Sequence, residues 1–211
     1  MHRVGTEDSD DRDSDGWGID GWRRLGWCAA LLGPALLGAP AVHAEDVPAA
    51  VSVAEVAATE RSVKAAYLYK FSGYVEWPDG AFARPDTPLT LGVMGDEAMA
   101  AELARLAAGR SVDSRPLAVR RLQPGEPLAG LHVLFVGRAE SARLEQVSRA
   151  AGNRPILIVT ESEGALAQGS AINFVVAEGR VKFAIAAESA EKRSLKLSSR
   201  LLTVAQNMGV R

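Results

Sequence analysis

Side chains suited to chemistry are scarce over residues 45–211: there is one histidine, His132, and no cysteine, because the only thiol is Cys28. A general base needs a nucleophile to activate and a third group to orient it. No Gly-x-Ser-x-Gly elbow or other nucleophile motif accompanies His132. It opens the apolar run HVLFV and is read as a structural histidine. Carboxylates are then the only numerous metal ligands, and none follows calcium-loop spacing. These residues lead us to expect neither an enzyme nor a metal or cofactor.

The other notable side chains suit recognition. Tyr67, Tyr69, Phe71, Tyr74 and Trp77 form an aromatic cluster, and tyrosine and tryptophan are common in interfaces. Helical spacing places Tyr67, Phe71 and Tyr74 on an inferred core face, where packing accounts for them. Tyr69 falls on the opposite side and is taken as a partner or ligand contact. Trp77, just before Pro78, either closes a pocket or covers the sheet edge. Ser199 and Arg200 stand with Ser198 at a helix start, where an anion could bind; capping plus a solvated arginine is the plainer account. Gly92, Gly95 and Asp96 lie where a strand gives way to a helix, a place where open α/β sheets bind ligands. No Gly-x-Gly-x-x-Gly or Lys-Ser/Thr sequence is present, so a turn with an aspartate cap explains them. Glu188, Glu191, Lys192 and Arg193 read as a charged, solvated helix face.

The elements that must position these residues are legible as periods. Val63, Ala66, Tyr67, Lys70, Phe71 and Tyr74 share one face of a helix over residues 55–74, ended by Gly73 and Pro78. A strand over 89–94, a helix over 98–108, a weaker strand over 117–122, a strong strand over 132–136, a helix over 139–151 and a strand over 155–160 follow. This alternation implies right-handed crossovers and a mainly parallel sheet covered on both faces, a three-layer α/β sandwich. Segments 171–176 and 180–186, separated by 177–179, read as an antiparallel hairpin at one edge, with Gly179 supplying positive φ. Leu197, Leu201, Val204, Ala205 and Met208 mark a last amphipathic helix capped by Ser198.

The chain has 211 residues, 47% of them apolar and 24% charged, which is ordinary globular usage. Residues 45–211 hold 20 Lys/Arg against 19 Asp/Glu. So balanced a segment has no general attraction for a phosphate backbone, and nucleic acid is excluded as an expected partner. Residues 1–20 are polar and acidic without a period and are expected to be disordered. Arg23 and Arg24, the apolar run over 25–37 and the small exit residue Ala44 then match a signal peptide cleaved after Ala44. The run is shorter than the roughly 20 residues a spanning helix needs, so no stable membrane insertion is expected. The acidic stretch ahead of the arginines suggests a translational start downstream of Met1. Paired arginines also allow twin-arginine export, although their flanks fit poorly. Trp27 before Cys28 argues against lipidation. A loose leader is read over 45–54 and one α/β domain over 55–211.

Two stretches, VKAAYLYKFSGYVEWP over residues 63–78 and INFVVAEGRVKFAIAAESAEKRSLKLSSRLLTVA over residues 172–205, resemble the YfiR-like family of periplasmic proteins. The resemblance implies a regulator that binds the periplasmic sensory domain of an inner-membrane diguanylate cyclase, or a related sensor protein, and restrains cyclic di-GMP synthesis and biofilm formation. The redox-responsive disulfides of that family's repressor do not carry over, because residues 45–211 hold no cysteine. The other reading is a periplasmic small-molecule-binding subunit serving a transporter or histidine kinase. The partner, the stimulus and a homodimer are left open.

Overall fold

The computed structural model describes residues 52–207; the expected tail and export segment, residues 1–44, and Met208 lie outside them. Helix α1, Val53–Ser72, opens in a capping box. The Ser52 hydroxyl accepts the Glu55 N–H at 3.1 Å and the Glu55 carboxylate accepts the Ser52 N–H at 2.8 Å. Val53 and Ala54, read from sequence as the end of a loose leader, are therefore already helical.

Strands β2 (Leu89–Met94), β4 (Arg115–Leu122), β5 (Val133–Val136), β6 (Leu157–Thr160) and β7 (Ile172–Ala177) run parallel, in the order β4-β2-β5-β6-β7. Strand β8, Arg180–Ile185, closes one edge antiparallel to β7, as expected. The other edge is antiparallel too: the two-residue strand β3, Ser111–Val112, pairs with the start of β4. Helix α2, Glu97–Ala107, links β2 to β3; a 3₁₀ turn, Arg138–Arg143, and helix α3, Leu144–Ala151, link β5 to β6.

Alternate residues of the central strands feed two cores, one on each face of the sheet. Val133 and Phe135 of β5 and Leu157 and Val159 of β6 join Leu68, Phe71, Leu103 and Phe183 on the face covered by α1 and α2. Leu134, Val136 and Ile158 pack with Leu144, Val147 and Leu128 on the α3 face. Burial on both faces is why these strands read as unbroken apolar runs. The result is a three-layer α/β fold.

The stripe that α1 buries differs from the one its spacing suggested. Lys64, Ala65, Leu68, Phe71 and Ser72 are buried, whereas Val63 and Lys70 are exposed and Ala66, Tyr67 and Tyr74 half-buried. The stripe is rotated by about one residue, or 100°, because α1 packs against α2 as well as against the sheet. The aromatic core still forms as expected: Tyr67 stacks on Phe71 at 5.8 Å and meets Phe183 edge-on at 5.4 Å.

The β7–β8 hairpin is one residue tighter than its sequence suggested. Ala177 pairs with Arg180, so the loop is Glu178-Gly179 alone, with φ of 56° and 68°. Positive φ at both positions is the pairing a two-residue hairpin with native twist requires. Beyond β8 come a short helix α4, Ala187–Glu191, a two-residue strand β9, Lys196–Leu197, and helix α5, Ser199–Asn207.

Candidate functional site

The crevice where open α/β sheets bind ligands lies at the carboxyl ends of the strands, where the order reverses between β2 and β5. In this molecule it is filled by protein. The Gly137 N–H donates to Met94 O at 2.8 Å, a Cβ on Gly137 would lie 2.9 Å from Gly95 O, and one on Gly95 would lie 2.8 Å from Glu140 Cγ. Asp96 caps α2 by accepting the Met99 N–H at 2.8 Å. Gly95 and Asp96 therefore serve as turn and cap, and Gly92 lets Leu122 and Leu131 close over β2.

A buried ionic cluster occupies the neighbouring strand ends. The Lys64 ammonium, 3% exposed, sits between the Glu60 carboxylate and Glu161 Oε2, the latter at 2.5 Å. Glu161 also accepts from the Arg138 backbone N–H, while its carbonyl accepts from Arg138 Nε. An ammonium this deep persists only when paired. Every charged member of the cluster has a partner.

The amino-terminal ends of the strands are built differently. Strand β1, Val75–Glu76, pairs with β9 in a separate antiparallel ribbon, Val75 against Leu197 and Glu76 against Lys196. The Ser198 N–H donates to Tyr74 O at 3.0 Å, and the Ser198 hydroxyl caps α5 through the Leu201 N–H at 3.3 Å. The chain then presents Trp77, whose ring meets His132 and Phe82 edge-on at 5.7 and 6.2 Å. Phe82 stacks on His132 at 4.3 Å, and the Arg115 guanidinium lies 3.8 Å from the Phe82 ring centre. Arg115 Nη1 also points at the Arg84, Pro85 and Thr87 carbonyls, 2.8 to 3.1 Å away, fixing the loop that carries Phe82.

His132 is a spacer within this stack. Its Nδ1 accepts the Thr90 N–H at 3.1 Å, so the proton resides on Nε2, which donates to Ala81 O at 3.1 Å. Burial holds its pKa below the ordinary imidazole range and nearby Arg115 adds to this, while the Ala81 hydrogen bond opposes it. A neutral ring with both nitrogens engaged cannot act as a general base.

Two shallow depressions flank Trp77. One, of about 570 Å³, is lined by Tyr74, Glu76, Asp79, Asp113, Arg115 and Ser198, among others. The other, of about 510 Å³, is lined by Glu76, Glu191, Leu195 and Lys196, among others. Glu76, Asp79, Asp113 and Glu191 outnumber Arg115 and Lys196, so the rim is acidic. Trp77 Nε1 is shielded from solvent and has no hydrogen-bond acceptor.

Of the candidate contacts read from sequence, Trp77 is at the centre of this surface. Ser199 and Arg200 are exposed on the first turn of α5, directly after Ser198. Tyr69 lies apart: it is half-buried on α1, and its ring faces the Arg110 guanidinium at 5.4 Å. Phe82 and Arg115 were missed, since one is in an irregular loop and the other opens β4, a strand with a weak apolar pattern. Arg193, read as part of a solvated helix face, is in fact 5% exposed.

The two stretches that carry the resemblance thus meet in the β1–β9 ribbon. A protein-family model described as YfiR/HmsC-like matches residues 61–206. The chain belongs to the YfiR/HmsC-like family. No curated protein is similar enough to the chain to count as a match. Membership in the YfiR/HmsC-like family makes this a regulator of diguanylate cyclase signalling in the general sense, within a family of periplasmic regulators rather than enzymes. Among the described residues, no helix is long and apolar enough to cross a membrane.

Proposed function

We propose that this YfiR/HmsC-like domain acts in the periplasm as an inhibitory subunit. It docks through the Trp77 surface on the sensory segment of an inner-membrane diguanylate cyclase, or a related sensor protein, and holds it inactive. The observation that carries this reading is the convergence of both family-bearing stretches on one ribbon, beside a half-exposed tryptophan set in an acidic rim. An aromatic anchor within a polar rim is the usual anatomy of a binding hot spot. The acidic rim suits a partner surface with net positive charge.

Inhibition of this kind needs differential affinity. The domain restrains its partner only as far as it binds the inactive state more tightly than the active one. Deleting the gene is expected to raise cyclic di-GMP and biofilm mass, and the unchanged gene to restore both. A Trp77→Ala allele expressed at equal level should fail to restore them. Unchanged cyclic di-GMP on deletion contradicts the reading.

A further inference from the structure

We propose that the depression over Arg193 is a binding site for a small organic anion, one bearing a carboxylate or phosphate group. Arg193 is 5% exposed, and among the described residues no carboxylate pairs with it. Its hydrogen bonds go only to neutral acceptors. Nη1 donates to Gly169 O at 3.1 Å and Ser189 O at 2.9 Å, Nη2 donates to Ser148 Oγ at 2.8 Å, and Nε has no acceptor. A guanidinium taken out of water without a counter-charge is an uncompensated desolvation. Burial accordingly pushes Arg193 down from its ordinary pKa.

The surroundings form a built site. Gly169 has φ of 97°, and a Cβ there would lie 2.2 Å from Ser148 Oγ, so only glycine allows the close approach that sets Ser148 against the guanidinium. The depression measures about 820 Å³, within the size range of small-molecule pockets. Arg149 and Lys192 line it with Arg193 against a single carboxylate, Glu188, and Leu166 and Ala186 add apolar wall. A cationic side with a forked donor suits carboxylate or phosphate. The apolar wall suits an organic body better than a bare ion. Residues Glu191, Ser194, Leu195 and Lys196 of the same short segment line the Trp77 surface, so the two surfaces share a support. Anion binding to the isolated protein would nonetheless stand whether or not Trp77 takes a partner.

The test is calorimetric titration and thermal unfolding of the purified protein with inorganic phosphate and with benzoate, against chloride at matched ionic strength. A saturable rise in Tm with benzoate or phosphate, absent with chloride, is the expected result, since a ligand that binds only the folded form must stabilise it. Arg149→Ala and Lys192→Ala alter exposed side chains, so both variants should fold and each should weaken binding by about two- to fivefold. Arg193→Lys keeps the charge without the fork and should weaken it further. If Arg193→Lys does not fold, the two surface variants still decide. No saturable effect beyond chloride, or equal affinity in the Arg149→Ala/Lys192→Ala double variant, overturns the proposal.

Discussion

His132 shows how a lone histidine is used here for packing, and its burial has a measurable consequence. Its folded pKa is lowered by desolvation and by Arg115, so near the unfolded value the unfolded chain binds more protons than the folded one. The stability contributed by neutral His132 is therefore complete above about pH 6.5 and is lost as pH falls from there toward the folded value. Protonating Nδ1 would also remove the acceptor of the Thr90 N–H. Urea unfolding between about pH 7.5 and 5 should show declining stability, and His132→Gln, which cannot titrate, should flatten that decline. Equal slopes for both proteins would contradict the assignment. Trp77 can be examined in the same way. Trp77→Ala should cost about 2 kcal/mol in lost apolar contact, while Trp77→Phe keeps the ring against His132 and Phe82, removes the unpartnered Nε1, and should stay within about 1 kcal/mol of the unchanged protein.

Elements buried on both faces were the most legible, and those shaped by turns or by a second packing partner the least. Strands β5 and β6 read correctly because nearly every side chain enters one of the two cores. Strands β1, β3 and β9 have two residues each, too few for a period, yet β1 and β9 form the candidate site and β3 makes the second antiparallel edge. On α1, the spacing identified a helix but misplaced its buried stripe, because α1 also packs against α2 and because Lys64 is held inward by Glu60 and Glu161. Phe71→Ala removes the ring at the centre of the aromatic core and should cost about 3–5 kcal/mol by urea unfolding. The β7–β8 turn was placed with one residue too many because glutamate is rare at positive φ. Glu178→Asn should accordingly stabilise the protein, by about 0.5 kcal/mol. Gly179→Ala, strained by its φ of 68° with nothing within 4 Å of an added Cβ, should destabilise it by about 1–2 kcal/mol.

At the scale of the whole molecule, the strand-end crevice is closed by Gly95, Gly137 and Glu140, and the opposite, amino-terminal end of the strands carries the ribbon, the tryptophan and the acidic rim. The packing role of His132 was legible in the sequence, from its place at the head of an apolar run. The convergence of two segments more than a hundred residues apart on one ribbon was not, because antiparallel pairing of two-residue strands leaves no local signature. The central claim of the proposed function is that this end of the sheet is the surface through which the protein reaches its target. The most direct measurement captures detergent-solubilised inner-membrane proteins on immobilised unchanged, Trp77→Ala and Trp77→Phe forms, each first confirmed as folded. We expect retention of a membrane protein with a periplasmic segment and a cytoplasmic cyclase domain, reduced about tenfold or more by Trp77→Ala and largely kept by Trp77→Phe. Equal retention by the Trp77→Ala form, or capture of no such membrane protein by the unchanged form, would contradict the account.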